Sequence, residues 1–471
     1  MKVCLIQVPP ASEFDRHWAR FPVLGLAYLA AAVRAAGHQV ILLDGKLDML
    51  SAEEICDRAV RAGADIVGLT CMTVEFPMVV RIASAIRARS NVPIVVGGAH
   101  VNAVKQQALI ECSAIDFACV GEGEYALNEL IAAVGGEGSF EDITGLCWRR
   151  DREIVVNATR PYPKDYDLLP FPAWDMFKVS TQIPVLTHRG CPYRCTFCGH
   201  NSGFKTRFRS VENVLAELRY AVETFQPEVI RFEDETFGLD LKRTKDIIAG
   251  IIAYGLHRKV TFSAQTRVDR VDAEFMKMLR EANFETLELG VESGNSEVLK
   301  SIRKGITLDQ VDRAVKLAKA ENLMVWCKFI LGHPNETRAT IRDTIRYIAR
   351  LNPHRLSVSI MTPFPGTPIH EMAIRGEGGY RLLSTDWKDF DKYSTGALEL
   401  DGLPLWRLKM YQILCYLMLY LRNGRMRELF GLVREHRVMA FSMLGGAFKA
   451  LGERLFVRRP RPLPVTQVAA E

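Results

Sequence analysis

The sequence predicts an α/β protein in three parts. A doubly wound, Rossmann-like domain comes first, a six-unit parallel (β/α) partial barrel second, and a helical region last. Two observations carry the first two parts: short β-branched runs alternate with helix-period segments, once over residues 1–143 and again over residues 181–400. The third is a change of character from about Leu403, where the chain becomes strongly apolar between basic flanks.

In the first part, Val3–Val8, Gln39–Leu43, Asp65–Thr70, Pro93–Val96 and Asp116–Val120 read as buried parallel strands. Leu24–Ala36, Ala52–Ala62, Phe76–Arg89, Val104–Cys112 and Glu124–Val134 show helical spacing. Gly97-Gly98 and Gly121-Glu122-Gly123 follow the fourth and fifth strands. Ligands on such sheets sit outside the strand carboxyl ends, where glycine lets backbone come close. The glycine pattern of a dinucleotide fold is missing after strand one. Gln7-Val8-Pro9-Pro10 and a long loop through Trp18 stand there instead, which argues against NAD or FAD.

Thr144–Val156 reads as a hairpin. The following stretch, with Pro161, Pro163, Pro170 and Pro172 among aspartates, reads as a linker. The boundaries are therefore drawn at residues 1–143, 144–180, 181–400 and 401–471. The barrel strands are placed at Val185–His188, Val229–Glu233, Val260–Ala264, Thr286–Val291, Met324–Leu331 and Leu356–Met361. The helices between them are Val211–Phe225, Leu241–Tyr254, Ala273–Ala282, Leu308–Glu321 and Arg338–Leu351. In a parallel barrel, catalytic groups lie at the strand carboxyl ends. Met410–Leu421 carries no formal charge, but it is shorter than the roughly 20 residues a membrane-spanning helix needs. It reads as a buried or interfacial helix. Arg458–Pro462 reads as a loose basic tail.

Lys and Arg number 61 against 55 Asp and Glu, a net charge of +6. That excess is too mild to argue for nucleic acid. The 11 cysteines are an odd number, spread too thinly for a secreted disulfide scaffold. Met1-Lys2-Val3-Cys4 runs directly into a strand, without the apolar core of a signal peptide. A reducing, cytoplasmic setting follows, where thiols remain available to metal. Cys71, Cys119, Cys327 and His100 read as packed residues.

The most informative stretch is Arg189-Gly190-Cys191-Pro192-Tyr193-Arg194-Cys195-Thr196-Phe197-Cys198. Three thiolates on one short loop select zinc, copper or an iron–sulfur cluster. A four-iron cubane normally takes four thiolates, so three leave one iron open to a substrate or cofactor. A closed Cys3His zinc site with His200 is the alternative.

The C-x3-C-x-Φ-C spacing, with Phe197 as Φ, resembles the signature of the radical S-adenosylmethionine (radical SAM) enzymes. The resemblance implies a [4Fe–4S] cluster on Cys191, Cys195 and Cys198, whose open iron binds SAM. It also implies a six-unit partial barrel, matching the count above. Glu233 and Asp234 resemble the position that holds the SAM amino group, and Glu292-Ser293 resembles the ribose-contacting position. Gln265 and Arg267 end the third strand, where Arg267 is suited to the SAM carboxylate. Gly332-His333-Pro334-Asn335-Glu336-Thr337 resembles the turn that shapes the adenine side, with Met361 beside it.

A Rossmann-like domain ahead of such a barrel is similar to the N-terminal domain of cobalamin-binding radical SAM enzymes. The resemblance implies corrinoid contacts at Thr70, Thr73, Gly97, Gly98, Gly121, Glu122 and Gly123. The turn matching the cobalt-ligating Asp-x-His motif reads Asp44-Gly45-Lys46, so cobalamin is expected without a histidine lower ligand.

The resulting expectation is a cobalamin-dependent radical SAM methyltransferase acting on an unactivated carbon of a small or lipophilic metabolite. Oxidative cyclisation or rearrangement is the alternative reaction, and a zinc-stabilised binding protein the alternative class. The reading includes a reducing donor such as flavodoxin or ferredoxin and no nucleic acid partner. The apolar segment Leu403–Phe456 is expected to cover the open side of the barrel and to allow peripheral membrane contact.

Overall fold

The computed structural model describes residues 1–10, 21–178, 181–200, 202–393 and 396–435, with 437 and 445. Trp18 and the basic tail lie outside the described residues. The first sheet holds β1 (Lys2–Gln7), β2 (Gln39–Asp44), β3 (Ile66–Thr70), β4 (Ile94–Gly97), β5 (Phe117–Cys119), β6 (Leu146–Arg150) and β7 (Glu153–Val156). Its order is β2-β1-β3-β4-β5-β6-β7. The first five strands run parallel, and burial is nearly continuous in β1, β3, β4 and β5, while the edge strand β2 is half-buried over most of its length. β6 and β7 add an antiparallel hairpin to the edge beyond β5. The sequence placed this hairpin in the connecting segment; in the structure it extends the first sheet.

The second sheet contains β8 (Gln182–Val185), β11 (Val229–Phe232), β12 (Thr261–Thr266), β13 (Phe284–Glu292), β14 (Met324–Leu331) and β15 (Arg355–Ile360), in the order β15-β14-β13-β12-β11-β8. Two small antiparallel pairs accompany it: β9 (His188–Arg189) with β10 (Arg207–Phe208), and β16 (Tyr380–Leu382) with β17 (Leu398–Leu400). All six barrel strands predicted from alternation are present. The first starts earlier than expected, because Gln182–Val185 holds the apolar run and a break precedes His188. Val104–Cys112 was expected as one helix. It is two short ones, Ala99–Val104 and Gln107–Glu111, separated at Lys105, whose φ of +52° breaks the helical path. By compactness the chain divides into residues 1–192 with 199–231, and residues 193–198 with 232–471.

The helices start where side-chain caps satisfy free backbone N–H groups. Ser210, Asp240, Asp272, Thr307 and Thr337 each accept a bond from the first turn that follows. β14 alternates between buried and half-buried positions, so one face packs against helices and the other stays partly open.

The apolar run Met410–Leu421 lies inside one helix, Leu405–Arg422. This helix packs against β15 and against the helix Arg338–Leu351. Gln412 Nε2 donates to the Val358 carbonyl at 2.7 Å, and Tyr416 Oη accepts from Val358 N–H at 3.2 Å. An edge strand otherwise exposes such groups. Among the described residues no helix is long and apolar enough to cross a membrane. Replacing the buried Gln412 by alanine should remove the Val358 carbonyl's donor and cost about 1–3 kcal/mol, read as a lower denaturant midpoint.

Candidate functional site: a three-cysteine loop and a glycine-floored cavity

The cysteine loop has no regular secondary structure, so neighbouring groups must hold it. At its start Gly190 has φ +88°, and a Cβ there would lie 2.3 Å from the Lys205 carbonyl oxygen. Only glycine fits. Cys191 N–H donates to Gly203 O at 3.1 Å. Further on, Thr196 N–H donates to Ile302 O at 3.1 Å and Cys198 N–H to Cys195 O at 3.2 Å. Cys195 is buried, while Cys191 and Cys198 are half-buried.

Among the described residues no three His, Cys, Asp or Glu side chains gather as one metal ion would require. The His200 ring packs on Phe204 with centroids 4.2 Å apart. A cubane makes a different demand, because each thiolate takes its own iron. Three soft donors on an anchored loop fit that demand.

At the strand ends of the barrel, Glu292 follows a register shift in β13 and has φ +73°, a strained conformation for a non-glycine residue. Its carboxylate takes a 2.7 Å bond from Lys304 Nζ, and both side chains are buried. Lys304 Nζ also lies 6.0 Å from the Phe197 ring centroid. The His333 ring stands 6.2 Å from Phe197, and its Nε2 is 3.3 Å from Glu292 O. The structure thus brings Phe197, Glu292, Lys304 and His333 together. The sequence reading missed Lys304; the signal available was a basic residue close after Glu292, in Arg303-Lys304-Gly305.

Glu233 is half-buried and Asp234 buried just past β11. Gly332 has φ +96°, and a Cβ there would lie 3.3 Å from Met361 Cβ. Its N–H donates to Glu336 Oε2 at 2.6 Å, and its carbonyl accepts from Tyr380 Oη at 3.0 Å.

Two expectations need revision here. Ser293 is fully buried, and its hydroxyl bonds Thr344 Oγ1 at 3.2 Å and accepts from Asn295 N–H at 3.2 Å. It therefore supports the turn after Glu292. Arg267 is 5% exposed and donates to both Asp269 carboxylate oxygens, at 2.9 and 3.2 Å, and to Lys304 O at 2.8 Å. Its guanidinium is engaged within the protein.

Across the half-open sheet face, Lys328 pairs with buried Glu288 and donates to Gln265 Oε1 at 2.5 Å. Lys328 stands opposite Ser357 in the strand register, and Ser357 Oγ lies 3.4 Å from Tyr393 Oη. Of this polar row the sequence reading named only Gln265, because Glu288 and Lys328 become neighbours only through strand pairing.

In the first domain a cavity of about 260 Å³ opens over the carboxyl ends of β1, β3, β4 and β5. Thr70, Gly97, Gly98, Gly121, Glu122 and Gly123 all line it. Gly98 has φ +101°, and a Cβ there would sit 2.6 Å from Thr70 Oγ1 and 2.9 Å from Cys71 O. Gly121, with φ +99°, has nothing within 4 Å of its Cβ position, so its backbone faces open space. This cradle of bare backbone over apolar walls fits a flat macrocycle approaching closely.

Thr73 is the exception. It lies outside the lining, buried against His100 at 3.4 Å. No described histidine lines the cavity. Lys46, at the position of the motif histidine, pairs instead with buried Glu75. Arg189 joins the lining unpredicted, bonded to Glu124 at 2.6 Å, while Glu122 is held by Tyr166 and by Arg207 at 2.8 Å.

Two buried groups on the Gly332–Thr337 turn respond to pH in opposite senses. Burial pushes Glu336 up to about 7, so the native state keeps a proton that the unfolded state sheds near 4.5. Its stabilising share is present below pH 4.5 and is lost as pH rises through about 7. Burial pushes His333 down to about 4, so its share is lost as pH falls below 6.5. Relative to Glu336→Gln, the wild type should therefore lose unfolding free energy between pH 4.5 and 7 in chemical denaturation.

The B12 binding domain family matches residues 19–131, and the Radical SAM superfamily matches residues 185–348. The chain is 34% identical over 408 residues to an uncharacterized methyltransferase, PH0819, of Pyrococcus horikoshii, covering 84% of this chain and 86% of that protein. It is 25% identical to the anaerobic magnesium-protoporphyrin IX monomethyl ester cyclase of Synechocystis, covering 90% and 86%. A solved structure of the cobalamin-dependent S-adenosylmethionine radical enzyme OxsB, with aqua-cobalamin and S-adenosylmethionine bound, superimposes with a TM-score of 0.74 at 18% identity, covering 100% of this chain and 74% of that one. With these matches, a three-thiolate loop and a glycine-floored cavity, the chain belongs to the radical SAM superfamily, in the group that carries a B12 binding domain ahead of the radical SAM domain.

Proposed function

We propose that the chain is a cobalamin-dependent radical SAM methyltransferase acting on an unactivated carbon of a small or lipophilic metabolite. One observation carries the reading: a single chain holds both the three-cysteine loop and the glycine-floored cavity. When bound, the cluster and SAM supply a hydrogen-abstracting 5′-deoxyadenosyl radical, and the corrinoid carries the methyl group.

The protein's own residues bind and orient. Cys191, Cys195 and Cys198 hold the cluster. Glu233 and Asp234 offer carboxylates to the SAM ammonium. Lys304, held by Glu292 and close to Phe197, would take the SAM carboxylate, and Glu292 would accept from the ribose hydroxyls. Gly332 and Met361 form the adenine wall. Gly97, Gly98, Gly121 and Gly123, with Thr70, let backbone approach the corrinoid. We place the functional boundaries at 1–143, 144–180, 181–400 and 401–471, with the hairpin at the start of the second segment joined to the first sheet.

Lys328, presented by Glu288 and Gln265, offers a donor to an oxygen of the substrate. Met410, Leu414, Leu417 and Leu421 leave an exposed apolar stripe on the C-terminal helix. That stripe favours a lipophilic substrate met at a membrane surface. A cytoplasmic setting and a flavodoxin- or ferredoxin-type donor complete the proposal. Oxidative cyclisation is the second reading, favoured by the similarity to the tetrapyrrole cyclase.

Enzyme reconstituted anaerobically with iron, sulfide and hydroxocobalamin should release both 5′-deoxyadenosine and S-adenosylhomocysteine. Its product should gain the mass of one methylene. Release of 5′-deoxyadenosine alone would reject methylation in favour of rearrangement. Alanine at Cys191, Cys195 or Cys198 should abolish iron binding and reductive SAM cleavage together.

A further inference from the structure

We propose that Tyr193, gripped by Arg267 and Arg270, is the positioning residue that sets the path of the cysteine loop and tunes the cluster it carries. This rests on the cluster reading above. Tyr193 occupies one of the three places between Cys191 and Cys195, where the cysteine spacing itself demands no particular side chain. The structure nevertheless invests heavily in it. The Arg267 guanidinium carbon lies 3.6 Å from the centroid of the tyrosine ring, and Arg270 Nε donates to the hydroxyl at 2.6 Å. One cation covers the face of the ring while the other holds its polar tip.

Arg267 is itself fixed. Its bonds to Asp269 and to Lys304 O leave the guanidinium plane little freedom. The same turn takes the rest of the loop: Thr196 N–H donates to Ile302 O, and Cys195 Sγ lies 3.9 Å from Arg303 O. Residues 302–304 are therefore a common rail to which Thr196 is tied directly and Tyr193 through Arg267. Lys304, at the end of that rail, holds Glu292. A shift of Tyr193 would move cysteine and SAM-binding groups together.

The grip needs arginine. A planar guanidinium can stack on a ring and bridge a carboxylate and a carbonyl at once, whereas a lysine ammonium cannot. The grip also holds the guanidiniums of Arg267, paired with Asp269, and of Arg270 against the loop that carries the cluster, which becomes more negative on reduction. Cations there favour the reduced state and raise its potential.

The test uses the full chain, purified anaerobically and reconstituted with iron and sulfide. Iron and sulfide per chain, the electron paramagnetic resonance signal after dithionite reduction, and the midpoint potential are measured for Tyr193→Leu, Tyr193→Phe, Arg267→Lys and Cys195→Ala. Hydroxocobalamin retention reports that the rest of the chain is folded.

Tyr193→Leu and Arg267→Lys should hold iron about tenfold less tightly, the scale seen when residues behind metal ligands are changed. Tyr193→Leu loosens both guanidiniums from the loop, so the cluster that remains in it should have a more negative potential, whereas Arg267→Lys keeps the charge and should lose iron retention alone. Tyr193→Phe keeps the stacked ring and should stay close to wild type. Normal iron retention and potential in Tyr193→Leu would overturn the proposal, as would a Tyr193→Phe variant as damaged as the leucine one. If Tyr193→Leu fails to fold, Arg267→Lys decides by iron and sulfide retention. Iron retained in Cys195→Ala would instead reject the cluster reading on which the proposal stands.

Discussion

Three thiolates must be displayed on one loop without a fourth ligand closing the site. A loop this short, with no ladder of its own, cannot bury enough surface to hold its shape. Its conformation is borrowed from neighbours: Gly190 where the backbone meets Lys205 O, and the turn at Ile302–Lys304 where Cys195 and Thr196 are tied. The same turn delivers Lys304 to Glu292, whose left-handed backbone is tolerated because the buried ion pair and the contact to His333 over-determine it. The cysteine loop and the strand end at Glu292 are thus one bonded structure.

The first domain solves a different problem, that of admitting a large flat ligand. Its parallel strands end in glycines whose missing side chains leave backbone exposed to a cavity. At Gly98 a methyl group would strike Thr70 and Cys71 directly. Charged residues around this cavity are neutralised in place. Arg189 with Glu124 and Glu122 with Arg207 neutralise each other. Such pairs cost desolvation, and breaking one partner is more damaging than replacing both. They hold the polar rim of an otherwise apolar cavity in one arrangement.

The edge of the second sheet shows a further economy. β15 would present unpaired backbone, and the helix Leu405–Arg422 covers it with Gln412 and Tyr416. That helix looked like a candidate interfacial segment from composition alone. Its inward face is structural, and its outward stripe of Met410, Leu414, Leu417 and Leu421 remains exposed.

Periodicity, glycine placement and cysteine spacing determined the two α/β alternations, the three-cysteine loop and most of the cavity floor, because each is local along the chain. A run of β-branched residues, a Gly-Gly pair or a C-x3-C-x2-C spacing carries its meaning within ten residues. Tertiary structure alone decided what long-range pairing decides. It committed Arg267 to Asp269, Tyr193 and the Lys304 carbonyl, turned Ser293 toward Thr344, and took Thr73 out of the cavity. It also joined Glu288 on one strand to Lys328 on the next, and Lys304 to Glu292. A charged side chain reaches several ångströms in any direction, so its partner depends on which strands and turns lie beside it, which no local pattern encodes.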